Sequence, residues 1–138
     1  MAETLIFGSP KLDVQRAERR AAYVVVIRGD KVAVVQSHDK HFLPGGGSLP
    51  LETPEETVVR EVYEELGRGL HLIRKLGEAI QYFYSSDDDR HYEMRATFFA
   101  GEFTDELRAG EHQLHWLPRA RAAQSCFHEC HAWAISQA

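Results

Sequence analysis

The sequence predicts an α+β domain built around a mixed β-sheet. Three observations carry that expectation. Runs of β-branched and aromatic residues recur along the chain, strands and helices do not follow the βαβα alternation of a doubly wound sheet, and one segment carries a complete set of helix signals. A chain of 138 residues is one domain by length, residues 1–138, and can bury about two thirds of its unfolded surface.

Ala21–Ile27 is continuous and β-branched, Arg28–Lys31 supplies turn chemistry, and Val32–Val35 resumes, which makes a hairpin with at least one deeply buried strand. His41–Pro44 is a short extended piece. Gly45–Gly47 follows as the expected start of a flexible loop, where backbone can approach a ligand closely. Thr53, Pro54 and Glu56 are an N-cap, a Pro at N1 and the acid of a capping box, so a helix runs from there to Leu66, with Gly67 as its C′ stop. Ala79–Tyr84 and Tyr92–Ala100 read as strands around the polar loop Ser85–Arg90, and Leu114–Leu117 as a short strand closed by Pro118. A single C-terminal helix is expected over about 124–136.

The formal net charge is −5, with Lys and Arg scattered, so the footprint of a protein that binds long nucleic acid is missing. Two cysteines, Cys126 and Cys130, cannot build a disulfide framework. The stretch Met1–Gly8 has no basic region and no apolar run of signal length, and no segment reaches membrane-span length. A cytoplasmic protein without membrane association is the expectation.

The chemistry is concentrated between Gly45 and Gly67. With Glu61 at zero on a helical wheel, Glu64 falls at about −60° and Glu65 at about +40°, whereas Val62, Leu66 and Val59 fall at about 100°, 140° and 160°. Acids and core are thus expected on different faces. Three carboxylates at i, i+3 and i+4 repel one another, and Arg60 can reach Glu64 but cannot neutralise all three. A divalent cation is the economical counter-charge, and hard oxygen ligands point to Mg²⁺ or Mn²⁺. A solvated acidic helix face is the alternative on spacing alone. The wider pattern is more specific: Gly46, five residues, Glu52, seven residues, then Arg60-Glu61-Val62-Tyr63-Glu64-Glu65-Leu66-Gly67.

At these residues the chain resembles the Nudix hydrolase family, whose box is G-x5-E-x7-R-E-U-x-E-E-x-G-U with U a bulky apolar residue. The box spans 46–68 and every fixed position matches except the last, where Arg68 stands for U and Leu70 is the substitute. Leu43–Gly47 and a late Trp also resemble MutT-type members. The resemblance implies an α/β/α sandwich around a mixed β-sheet, and a hydrolase acting on acid anhydrides. Its reaction would be Mg²⁺-dependent cleavage of the pyrophosphate bond in a nucleoside diphosphate linked to another moiety. It also implies that Glu61, Glu64, Glu65 and the Gly45 carbonyl serve the metal, and that Glu52 and Arg60 form a supporting pair. One later acid is expected to complete the site: Glu111, with Glu102 or Glu93 in reserve. Glu61 or Glu111 would be the general base.

For the substrate, a small nucleotide, the expected contacts are Gly46 and Gly47 through the backbone, Phe42 and Trp116 by stacking, and Arg95 and Arg20 toward phosphate. Tyr82, Phe83, Tyr84, Phe98 and Phe99 are read as core. The Cys126/His128/Cys130/His131 cluster lacks zinc-ligand spacing and is read as buried side chains on a terminal helix. A homodimer fits the commonest oligomeric state. A ligand-sensing module without catalysis is the alternative, and the complete set of box acids counts against it.

Overall fold

The computed structural model describes residues 3–138. The leader reading begins at Met1 and Ala2, which lie outside the described residues. In chain order the elements are β1 (Leu5–Phe7), β2 (Arg16–Arg28), β3 (Lys31–Ser37), β4 (Lys40–Phe42), β5 (Gly45–Gly47), α1 (Pro54–Leu66), β6 (Arg68–Ser85), β7 (Arg90–Glu106), β8 (Leu114–Pro118), α2 (Arg119–Ser125) and α3 (Glu129–Gln137). The strands form one mixed sheet in the order β1-β6-β7-β2-β3-β4, with β5 beside β2 and β8 beside β3. The β1–β6 and β2–β7 pairs are parallel and the others antiparallel.

Every residue from Ala21 to Val26 is buried because the two sides of β2 face different helices. Ala21, Tyr23 and Val25 pack with Met94, Phe98 and the α2–α3 residues Ala122, Cys130, Ala134 and Ile135. Ala22, Val24 and Val26 pack with Val58 and Val62 of α1. Alternation along one strand thus builds both cores of an α/β/α sandwich, and each fully buried valine contributes roughly 1.5–3 kcal/mol.

Four expectations require correction. Gly45–Gly47 is a strand, paired with Ala21–Tyr23, rather than a flexible loop. The long pair β6/β7 runs well beyond Ala79–Tyr84 and Tyr92–Ala100. Register shifts between Arg68 and Leu70, Leu72 and Arg74, and Lys75 and Gly77 break the period-two pattern that would have disclosed the first half of β6. The segment Leu5–Phe7, unassigned in the sequence, adds an edge strand beside Ala79–Gln81. The single helix over 124–136 is two helices. The chain leaves helical geometry at Cys126–His128, where the Phe127 amide donates to the His41 carbonyl at 3.0 Å. Among the described residues no helix is long and apolar enough to cross a membrane.

Candidate functional site

Helix α1 begins as its sequence dictates. The Thr53 hydroxyl accepts from the Glu56 amide at 3.1 Å and the Glu56 carboxylate accepts from the Thr53 amide at 2.9 Å, closing the capping box. Gly67 ends the helix at φ 66°, and its amide donates to the Tyr63 carbonyl. The buried face is wider than the wheel predicts. Thr57 and Val58, at about −40° and +60°, are fully buried with Val62 and Leu66, whereas Val59 is 41% exposed. Glu61 and Glu65 therefore project from the inward face, between core residues, and not from a separate acidic one.

The sheet accommodates them at β5, which has no side chains. A Cβ at Gly46 would sit 2.7 Å from the Glu61 carboxylate, and one at Gly45 would run into the Ala22 carbonyl. Glu65 accepts the Gly45 amide at 3.0 Å. Burial above all, and then the charges of Glu61, Glu111 and Glu64, push the Glu65 carboxyl up to about 8, against the Gly45 amide that holds it down. Burial also raises Glu61, against the Arg60 guanidinium.

Arg60 organises the remaining acids. Its Nε and Nη2 bind the Glu52 carboxylate at 2.7 and 3.0 Å in a bidentate pair, and Nη2 also donates to the Gly47 carbonyl at 2.9 Å. Its Nη1 reaches Glu61 at 2.9 Å and Glu64 at 3.2 Å. Glu52 additionally accepts the Leu49 amide and the Thr57 hydroxyl. Arg60 foremost, then the Leu49 amide, holds Glu52 down at about 2. One guanidinium thus ties the acid helix to the end of the glycine strand and to the loop after it.

The segment after β7 folds over the other end of α1. The Glu111 amide donates to the Glu64 carbonyl at 3.3 Å and the His112 amide to the Glu65 carbonyl at 2.8 Å. Of the three later acids, Glu111 is the one whose charge bears on Glu65. Glu93 instead sits 3.8 Å from Arg95 and 4.0 Å from Arg16, and Glu102 is an exposed β7 residue opposite His71.

Beside Gly45, Gly46 and Glu65 lies a cavity of about 250 Å³ walled by Phe42, Phe83, Phe127 and His128, with Arg19 and Lys40 also in its lining. The Phe42 ring is 5.8 Å from Phe127 and 5.6 Å from His128. Burial, more than the charges of Arg19 and Lys40, lowers His128 to about 3, so this ring is neutral.

A family profile, the NUDIX domain, matches residues 17–135. The chain belongs to the Nudix family. Diphosphoinositol polyphosphate phosphohydrolase 3-alpha of Homo sapiens is 34% identical over 90 residues, 60% of this chain and 52% of that protein. The Mus musculus protein of the same name is 40% identical over 67 residues, 46% of this chain and 38% of that one. The chain spans about half or less of the length of these curated relatives. The MutT protein from Methanosarcina mazei Go1 superposes with TM-score 0.68 at 16% identity, covering 91% of this chain and 95% of that one. A NUDIX hydrolase from Nitrosomonas europaea gives 0.66 at 20%, covering 88% of each. These likenesses show the Nudix fold.

Within this Nudix domain, Arg68 lies over the Phe103 ring at 5.7 Å and Leu70 packs against the α1-side core, which accounts for the one departure from the box. Trp116 does not join the cavity. It pairs with Ala33 across β3–β8, packs edge-on to Phe103, and is covered by Arg28 at 4.4 Å. Arg95 and Arg20 lie opposite each other on β7 and β2, in a groove that also reaches Gly47. Phe98 and Phe99 are core as expected, but Phe83 lines the cavity.

Among the described residues the Cys126, His128, Cys130 and His131 side chains do not converge at ligand distance. His131 is fully buried, and its Nδ1 accepts the Leu43 amide at 3.1 Å. Both thiols are pushed up to about 12 by burial. Sequence reasoning missed His128, Phe127 and Arg19 as parts of the site. No local signal sets them apart: Phe127 and His128 lie in a terminal segment that also holds His131, Trp133 and Ile135.

Proposed function

We propose that this chain cleaves the pyrophosphate bond of a nucleoside diphosphate linked to another moiety, with Mg²⁺ or Mn²⁺ as its cofactor. The observation that carries this reading is one of charge. Glu52, Glu61 and Glu64 share one guanidinium, that of Arg60, and Glu65 lies beyond its reach. The raised Glu65, held only by an amide, is a group that a cation would convert into a stable anion.

The donor set fits a hard divalent ion. Glu61, Glu64 and Glu65 would hold it, with the Gly45 carbonyl and Glu111 as further oxygen donors. Among the described residues no three such groups converge at ligand distance, and Arg60 Nη1 bonds both Glu61 and Glu64. The ion, when bound, supplies charge neutralisation on phosphate oxygens and lowers the pKa of a bound water.

This chain's residues do the rest. The Glu52–Arg60 pair fixes the end of the glycine strand against the helix, so that the backbone of Gly46 and Gly47 borders the substrate closely. Glu61, partly buried and with its carboxyl raised, would take a proton from water, and suits that role better than exposed Glu111. Phe42, Phe127 and neutral His128 offer aromatic and hydrogen-bonding surface to a flat ring.

The test is phosphate or nucleotide release from a panel of nucleotides with and without Mg²⁺, with product masses locating the broken bond. Glu64→Gln and Glu65→Gln are each expected to abolish Mg²⁺-dependent turnover with an unchanged melting profile. Full activity in either variant rejects the assignment. Ligand-induced stabilisation without turnover supports the sensing alternative.

A further inference from the structure

His131 is fully buried on α3, and the hydrolytic chemistry centred on α1 does not use it. Its ring lies 4.2 Å from Tyr23, 5.8 Å from Phe98 and 6.2 Å from Phe42 between centroids, surroundings that would suit a phenylalanine. Burial foremost, then His128, holds the imidazole neutral. Among the described residues its side chain makes one hydrogen bond, Nδ1 accepting the Leu43 amide at 3.1 Å, so the ring proton sits on Nε2. Nε2 is buried without a partner among the described residues. A buried polar atom left unpaired is destabilising, and an apolar ring of the same shape would avoid it. What the imidazole adds is a single acceptor, given to Leu43.

Leu43 is itself fully buried and lies between β4, which ends at Phe42, and β5, which begins at Gly45. The two residues after it are held just as closely. Pro44 has no amide, and its carbonyl accepts from the Val24 amide of β2 at 3.0 Å. The Gly45 amide donates to Glu65 of α1 at 3.0 Å. Three consecutive residues are thus tied to three different elements, α3, β2 and α1. At Gly45 the backbone already lies so close to β2 that an added Cβ would stand 2.7 Å from Tyr23 Cα. In packing this close, a shift at Leu43 is passed along to Gly45 rather than absorbed.

We propose that His131 is a positioning residue for hydrolysis: through Leu43 and Pro44 it sets the Gly45 amide and carbonyl against Glu65. The inference rests on the pyrophosphohydrolase reading and deepens it, extending the residues that support the reaction from the box to α3.

His131→Asn and His131→Gln separate an acceptor from a space filler. Asn Oδ1 takes the place of Nδ1 and can receive the Leu43 amide, whereas the Gln carboxamide extends to the place of Nε2 and leaves that amide unpaired. Gln is the closer match to His in size, so a role in packing alone ranks the two the other way. Each variant is assayed with Mg²⁺ on two nucleoside diphosphate sugars that differ in base, and the Gly45 amide is followed by NMR without metal. His131→Gln is expected to lower kcat about tenfold or more, by the same factor for both substrates and with KM within about threefold of wild type. It should also shift the Gly45 amide resonance. His131→Asn is expected to keep kcat within about threefold of wild type and to leave that resonance in place. His131→Phe keeps a ring without the acceptor; it should match His131→Gln and stands in for it if the Gln variant does not fold. The proposal is overturned if Asn loses as much kcat as Gln, or if the variants without an acceptor keep wild-type kcat. A loss confined to KM, or an unmoved Gly45 resonance in those variants, overturns it equally. Failure of the underlying reading shows differently: wild type turns over neither substrate, while the Gly45 resonance still follows the acceptor.

Discussion

Gly46→Ala isolates the contact between the glycine strand and the acid helix. The new Cβ would meet Glu61 Cδ and Oε2 at 2.7 Å and Cγ at 3.2 Å, against the roughly 3.5–4.0 Å of an ordinary carbon contact. The carboxylate must move by about 0.8–1.3 Å, and Arg60 Nη1, 2.9 Å from its other oxygen, resists that movement. A catalytic group misplaced by about 1 Å costs on the order of 10²-fold in rate, equivalent to about 2.7 kcal/mol in the barrier. The backbone raises no objection, since Gly46 is absent from the positive-φ glycines. Mg²⁺-dependent kcat/KM should therefore fall about 100-fold while the melting temperature moves by only a few degrees. Val59→Ala, at a 41% exposed position on α1, is the control, and its hydrolysis of a nucleoside diphosphate sugar should stay within about threefold of wild type. If Gly46→Ala retained activity within that same margin, or lost it only in step with loss of folded protein, the placement of Glu61 as a working group would be wrong.

Thr53→Ala removes the hydroxyl half of the capping box and should destabilise the protein by about 1 kcal/mol in urea titration, with kcat unchanged. Phe42→Ala should raise KM about tenfold for a nucleotide whose base stacks in the cavity, in line with a stacking contribution of about 1–3 kcal/mol; an unchanged KM would remove Phe42 from recognition. His128 gives a pH signature. Its folded-state value, about 3, lies below the ordinary 6.5, so the unfolded chain takes up the proton first. Its contribution is fully present above pH 6.5 and is lost as pH falls through that value toward 3, by up to about 1.4 kcal/mol per pH unit. Urea midpoints at pH 7.5 and 5.0 should differ less in His128→Asn than in wild type. Glu65 is shifted the other way but is common to both proteins and cancels in the comparison.

The parts of the site that were legible in the sequence are those set by local geometry. Thr53, Pro54 and Glu56 specify the start of α1 within four residues, whereas the Glu52–Arg60 pair was legible only through the resemblance of the box to a known family. Glu65 was legible as an acid but not as a buried one, because the width of the inward face depends on how closely β5 approaches, and only three glycines in register with Ala21–Tyr23 allow that approach. Arg19 was hidden for a related reason. In the run Arg16–Arg20 nothing local distinguishes one exposed arginine from another; the β2–β7 register and the neighbouring Gly47 do. The break at Cys126–His128 likewise depends on a hydrogen bond to His41, more than eighty residues upstream, which no local pattern encodes.

The neutral His131 ring, receiving the Leu43 amide, fastens the C-terminal helix to the backbone two residues before the glycine strand. The sheet therefore stands between α1, which carries the box acids, and the α2–α3 end, which carries Phe127 and His128, and the two sides meet at the cavity that Glu65 shares with those rings. Changes in the final dozen residues reshape one wall of that cavity and leave the α1 acids in place, provided that one imidazole stays as the latch between the two halves.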